Sequence, residues 1–277
     1  MAQYPALTGR EPATAEQLAG EQASPVRVFD RTTPIRMPAD ARLRSWVVGD
    51  YGGFDEASLP HAPVTVSATL VTPLGVYLSC SPSRPPALVM GPSGTYTRAE
   101  GPCEPAVMVR LAPLGAYKLL GPVVSEIGGS IVGLDDIAGT DARRLSEQVQ
   151  SARSWEKRGQ LLDDFLLDRA TRGPQPSPEV SHAWRLLARS RGKDPISEIA
   201  RQVSWSHKHL IAKFKQQIGV TPQMAARLLR LMLVWRHLND DQGWARVAAQ
   251  CGYADQAHLT REFRRFTGTT PGALVTA

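Results

Sequence analysis

The stretch Ala257–Gly268, AHLTREFRRFTG, sets Arg261, Arg264 and Arg265 within five positions, among Leu259, Phe263 and Phe266. Guanidinium groups at this density on an apolar-periodic segment suit a rigid cationic face offering forked donors to phosphates or other acceptors. Other reactive residue types show no such arrangement. His207 and His209 form an HxH, but on a helix the two side chains diverge by about 200°, so His209 is read as packing or capping and no metal is expected. His61, His182 and His237 have no clustered partners. The three cysteines, Cys80, Cys103 and Cys251, are widely spaced and form no CxxC, so they read as small buried hydrophobes; nothing marks Cys80 or Cys103 as an activated thiol for redox sensing. GPSGTY (91–96) lacks a Walker lysine and the GxGxxG spacing and reads as a hairpin turn. The acid pairs Asp135/Asp136 and Asp163/Asp164 read as solvated helix-start or helix-surface groups. With no nucleophile elbow, HExxH or kinase signature, no enzymatic activity and no cofactor are expected.

The charge is unevenly placed. Of a net +6 over 277 residues, positions 174–277 hold 15 Lys+Arg against 7 Asp+Glu, whereas the preceding residues hold 17 against 19. A basic region joined to a nearly neutral one suggests a polyanion partner, with charge kept for solubility as the alternative. No segment approaches 18 uninterrupted apolar residues and the first residues form no basic-then-apolar leader, so a cytoplasmic protein with no membrane partner is expected.

The elements that must position these residues fall into two regions. Residues 1–40 read as an irregular lead-in. From Trp46 onward, VTVSATLV (64–71), GVYLSC (75–80), ALVM (87–90) and AVMVRL (106–111) are β-prone runs separated by Gly, Pro and Ser, which favours a small antiparallel barrel or sandwich. Residues 141–170 then show helical spacing, with Gly159 expected to break them into two helices. RGPQPSP (172–178) reads as a linker. Everything beyond it reads as helix. The expected fold class is α+β: a small β-barrel domain with trailing helices over 41–171, the linker, and an all-α domain over 179–277.

The helical region contains a repeat. HLIAKFKQQIGVTP (209–222) aligns with HLTREFRRFTGTTP (258–271) at an offset of 49, and IARQVSW (199–205) aligns with VAAQCGY (247–253) at 48. Each copy is a helix ending near Val203 or Cys251, a short turn, and a second helix closed by Gly219 or Gly268. Two short helices with a tight turn form a helix-turn-helix, whose second helix can enter a DNA major groove. Leu259, Phe263 and Phe266 share one buried face, as do Leu210, Phe214 and Ile218. The outward positions are then Gln256, Thr260, Arg261 and Arg264 in one copy, and His207, Lys208, Ile211, Ala212 and Lys215 in the other.

These paired motifs, with the helix between them, strongly resemble the AraC/XylS family of bacterial transcriptional regulators over about residues 180–272. The resemblance implies two helix-turn-helix subdomains bridged by one long helix, Gln223 to about Leu238, with both recognition helices in successive major-groove segments. It assigns base-facing roles to His207, Lys208, Ile211, Ala212, Gln256, Ala257, Thr260 and Arg261. Arg261 suits guanine and Gln256 suits adenine. Phosphate contacts fall to Ser206, Lys215, Arg230, Arg264 and Arg265. The first copy departs from the family pattern: Ala212 replaces the usual arginine and Lys213 occupies a usually apolar position, which shifts discrimination toward Arg261. Trp244 also stands where an aliphatic residue is usual.

The family commonly pairs this region with a cupin-like sensing or dimerising domain, which residues 46–171 resemble more loosely. MGPSGTY, VMVRLAPLGAYKLLG and IVGLDDIAG are similar to an N-terminal domain of some actinobacterial-type regulators. The implied partners are double-stranded promoter DNA, RNA polymerase, a small apolar effector inside the barrel, and a second copy of the chain. With only His61 in this half, no metal-holding cupin is expected. The alternative is a small-molecule-binding or enzymatic protein whose helical half is a protein-interaction module.

Overall fold

The computed structural model describes residues 35–59, 64–79, 84–99, 104–238 and 243–275. Cys80, Cys103, His61 and most of the lead-in lie outside them. The first half forms a six-stranded antiparallel sheet in the order β1-β2-β7-β4-β5-β8, from β1 (Ile35–Met37), β2 (Tyr51–Phe54), β4 (Thr72–Tyr77), β5 (Ala87–Met90), β7 (Ala106–Leu111) and β8 (Ile131–Gly133). A separate two-stranded ladder pairs β3 (Val64–Val66) with β6 (Thr97–Ala99). ALVM and AVMVRL are strands over the expected residues. VTVSATLV is strand only over its first three, and continues irregularly to β4.

The α+β class holds, but the sheet is open, with three-residue strands β1 and β8 at its edges, where a closed barrel was expected. The reason lies in its inner face. Tyr51, Leu74, Val76, Val89, Val107, Val109 and Leu111 present a continuous apolar surface, and register pairs Leu74 with both Val89 and Val109. Burying that surface requires a second layer. Helices supply it: α1 (Pro113–Leu120), α2 (Leu134–Ala138), α3 (Thr140–Ser151) and α4 (Trp155–Arg172) lay Leu119, Leu145, Val149, Leu162 and Leu166 into the same core. The interior expected to hold an effector is therefore filled by side chains.

The break between α3 and α4 falls at Ala152–Ser154, not at Gly159. Ser154 caps α4 by accepting from the Lys157 N–H at 3.2 Å, while Gly159 sits inside the helix, where a Cβ would come within 3.3 Å of the Met37 Cβ. Its missing side chain lets α4 approach β1 closely. Asp163, read as a solvated acid, is a tie between layers: its Oδ1 accepts from the Asp40 N–H at 2.8 Å and from the Tyr51 hydroxyl at 2.7 Å.

The second half is helical throughout its described residues: α5 (Pro178–Arg189), α6 (Ile196–Gln202), α7 (His207–Ile218), α8 (Pro222–Arg236), α9 (Trp244–Gln250), α10 (Gln256–Thr267) and α11 (Pro271–Val275). Its core is shared with the first half, because Val48, Ala68, Leu70, Val71, Ala112 and Leu114 belong to the same buried cluster as Leu210, Phe214, Leu259 and Phe263. Among the described residues no helix is long and apolar enough to cross a membrane.

Candidate nucleic-acid interface

The two repeats fold into two units of one design. In the first, α6 ends at a turn in which the Trp205 N–H donates to the Ala200 carbonyl at 3.0 Å; in the second, the Tyr253 N–H donates to Ala248 at 2.9 Å. Both turns need a left-handed residue. Gly252 supplies it at φ +79°, but the first copy uses Ser204 at φ +57°, a conformation that strains a residue carrying a Cβ. Each following helix is capped at both ends. Ser206 and Asp255 accept from the His209 and His258 N–H groups at 3.2 and 2.6 Å, and left-handed Gly219 and Gly268 return their N–H groups to Lys215 and Arg264.

His209 packs as expected, and its partner and the repetition of the contact at His258 add to that reading. His209 meets Trp205 edge to face at 4.6 Å between ring centroids, and His258 meets Tyr253 at 5.4 Å. The ring closing each turn is thus braced by the histidine in the first turn of the next helix. The matching His-Leu pairs of the two copies were the signal.

Of the expected base-facing residues, His207, Lys208, Ala212, Gln256, Ala257 and Arg261 are exposed, and Ile211 and Thr260 are half-buried. Lys215, Arg264 and Arg265 are also exposed, and among the described residues no carboxylate lies within ion-pair distance of Lys208, Lys215, Arg261, Arg264 or Arg265. Cations left uncompensated on one surface favour a polyanion. Ser206 is exposed, with its Oγ engaged as the α7 cap. His207 lies 3.4 Å from the Gln223 side chain.

Arg230, expected at phosphate, already has partners within the protein. It is half-buried, donates from Nη1 to the Gly192 carbonyl at 2.8 Å and lies over the Tyr253 ring at 5.8 Å. Helix α8 explains this, because Leu228, Leu229, Leu231 and Met232 around Arg230 are all buried, so its guanidinium points into protein.

Two buried polar residues that were not singled out hold helices α7 and α10 in place. Glu262, nearly inaccessible, accepts from Arg227 of α8 and so bolts α10 to the linking helix, with the Arg227 guanidinium 5.2 Å from the Phe266 ring. Gln217 accepts from the Ser177 N–H at 2.9 Å and ties α7 to the start of α5. Both were visible as polar residues at apolar-face positions: Glu262 lies three after Leu259, and Gln217 aligns with Phe266.

Buried groups in the second unit also carry a pH consequence. Burial pushes the Cys251 thiol from 9.0 up to about 11, and burial together with the Glu262 charge raises the Tyr253 phenol. A folded-state pKa above the unfolded one means the folded chain holds its proton longer, so stability is complete below pH 9 and falls as pH rises beyond it. Thermal melts from pH 8 to 10.5 should show the melting temperature declining above about pH 9, and Cys251→Ala should delay the onset of that decline toward the tyrosine range. A flat profile would contradict the assignment.

Between the halves lies a cleft of about 660 Å³, with Trp46 and Leu114 on one side and His182, Arg185, Val203 and Trp205 on the other. Glu179 also lines it. Burial, then the neighbouring Arg185 and Arg189 charges, lower the His182 pKa. Among the described residues no His/Cys/Asp/Glu group is arranged to hold a metal.

Comparison with known proteins places the similarity in this region. Residues 199–277 match the helix-turn-helix domain family. The HTH-type transcriptional regulator YbfI of Bacillus subtilis (strain 168) is 27% identical over 121 residues, 42% of this chain and 44% of that protein. The HTH-type transcriptional activator RhaS of Klebsiella pneumoniae (strain 342) is 40% identical over 70 residues, 24% of this chain and 25% of that protein. The match thus spans less than half the length of these relatives. ToxT of Vibrio cholerae aligns with a TM-score of 0.40 at 12% identity, over 89% of this chain and 97% of that one. Two helix-turn-helix units of one design, bridged by a single helix, thus lie where the chain matches the helix-turn-helix domain family and is similar to these HTH-type transcriptional regulators.

Proposed function

We propose that the protein is a sequence-specific DNA-binding transcription regulator whose two recognition helices read successive major-groove segments. The observation that carries this reading is the pair of capped helices α7 and α10, each buried along one apolar face and exposing uncompensated cations on the other. Arg261 is assigned to a base edge, with Arg264 and Arg265 on phosphate. In titrations of the full chain against its selected DNA and against random DNA, Arg261→Ala should cost about 1 to 3 kcal/mol on the selected site and relax preference at one base pair. Arg264→Ala should weaken both DNAs alike and reduce the salt dependence. Equal losses on both DNAs for Arg261→Ala would remove it from base readout, and no binding to any genomic fragment at low salt would sink the DNA reading in favour of a protein-interaction module.

The regulatory part of the proposal moves from the sheet interior to the cleft between the halves. An effector of this cleft would set apolar surface against Trp46, Leu114 and Trp205 and an anionic group toward Arg185. A ligand there touches the turn of the first helix-turn-helix directly. 1-Naphthoate should quench tryptophan fluorescence saturably, and more weakly in Arg185→Gln; linear, unsaturable quenching would dismiss the site. RNA polymerase and a second copy of the chain complete the partners of this reading. Light scattering across the micromolar range tests the latter, a monomer mass throughout excluding a stable homodimer.

A further inference from the structure

The hexapeptide Gly91–Tyr96 follows β5 in the first half, yet it reaches both recognition helices. Its Pro92 Cγ lies 2.5 Å from where a Cβ on Gly219 would stand, at the C-terminal cap of α7. Gly94 faces the first turn of α8, where its own Cβ would come 2.7 Å from the Met224 Cε. The Tyr96 ring stands 3.1 Å from the corresponding position on Gly268, the cap of α10. Two glycines that the backbone requires for their left-handed caps thus also offer bare surfaces on which this segment rests.

The hexapeptide is held firmly on its own side. Ser93 and Thr69 exchange both N–H to carbonyl bonds at 2.9 Å, the Gly91 N–H donates to Ser130 at 3.0 Å, and the Pro92 carbonyl accepts from Gly129 at 3.0 Å. The Ser93 hydroxyl closes the turn, donating to the Thr95 carbonyl at 2.7 Å and accepting from the Thr95 N–H at 3.2 Å. One strand away, the Ala68 N–H donates to the Phe266 carbonyl at 2.8 Å, satisfying one of the carbonyls left open at the end of α10.

We infer that Gly91–Tyr96 is a spacer that fixes the distance and phase between the two recognition helices, making Pro92 and Tyr96 positioning residues for the spacing of the two DNA segments read. Helix α8 alone joins the units through one covalent path; the hexapeptide adds a second, rigid one that contacts the ends of both readers. This rests on the proposed two-segment reading of DNA.

The test is selection of DNA from a random pool with the full chain, followed by binding to sites whose two boxes are moved apart or together by one base pair. The wild-type chain should select two boxes at one fixed separation and lose at least tenfold in affinity for a one-base-pair change. Tyr96→Ala should select the same two boxes at mixed separations, with that penalty reduced to about threefold or less, while Tyr96→Phe keeps the wild-type separation. Pro92→Ala, acting at the α7 end, gives an independent variant should Tyr96→Ala fold poorly. An unchanged penalty in folded Tyr96→Ala or Pro92→Ala overturns the spacer alone. Selection of a single box by the wild-type chain overturns the two-segment reading and the spacer with it.

Discussion

Phe263→Ala should cost about 3 to 5 kcal/mol, the range for an aromatic ring removed from a packed core. Phe263 has no exposed surface and lies 5.4 Å from Trp235, so the space it leaves is bounded by α8 and the body of α10. The repeat makes this prediction sharper, because Phe214 holds the equivalent place in α7 and is equally buried. Their surroundings differ. Helix α7 packs against α1 and the 3-10 turn Pro122–Ser125 as well as α6 and α8, whereas α10 packs chiefly on α9 and α11. Phe214→Ala should therefore lower a single transition shared with the sheet, and Phe263→Ala should release the second unit before the rest unfolds. Urea titrations followed by circular dichroism and tryptophan fluorescence should give coincident curves for Phe214→Ala and separated ones for Phe263→Ala. A Phe263→Ala loss below about 1 kcal/mol would show that α10 is not anchored through this ring.

Arg227→Met should destabilise by about 3 kcal/mol, at the lower end for a broken buried ion pair because Arg227 retains contact with water. Its side chain is 28% exposed, whereas that of Glu262 is 5% exposed. Removing the arginine leaves a carboxylate enclosed by protein. Removing the acid instead leaves a guanidinium that solvent can still reach, so Glu262→Gln should cost less, about 1 to 2 kcal/mol. The double variant Arg227→Met with Glu262→Leu should recover much of the loss, since an apolar pair of similar volume escapes the desolvation cost. A double-mutant cycle from urea midpoints measures the coupling. Equal losses for the two single variants would show that the pair is solvated and contributes little to holding α10 on α8.

The repeat was legible because both copies obey the same local rules. The closing glycines Gly219 and Gly268 and an apolar stripe at helical spacing depend on residues close in sequence, and each appears in the structure where spacing places it. Buried polar ties were less legible because their partners are distant: nothing local tells Glu262 that Arg227 waits on another helix, although its place on the apolar face marks it as unusual. The contacts of Arg230 were hidden for the same reason, since the Gly192 carbonyl and the Tyr253 ring lie on other elements. In the first half, strand identities were readable over 87–90 and 106–111, but closure was not. Whether a sheet curls into a barrel or lies open under helices depends on what covers its apolar face, and here α3 and α4 do so. The spacer was seen only as a turn, because its glycines and proline reveal a bend and not the surfaces on which that bend comes to rest.

The core shared by the two halves limits how far either can be exchanged. Ala68, Leu70, Val71 and Leu114 are buried in one cluster with Leu210, Phe214, Leu259 and Phe263 of the helical half. The junction is thus a fused interior rather than a hinge between exchangeable parts. Transplanting the helical half onto an unrelated sensor would strip apolar surface on both sides, so new specificities in this lineage are more readily gained by changing outward residues of α7 and α10 than by shuffling whole halves.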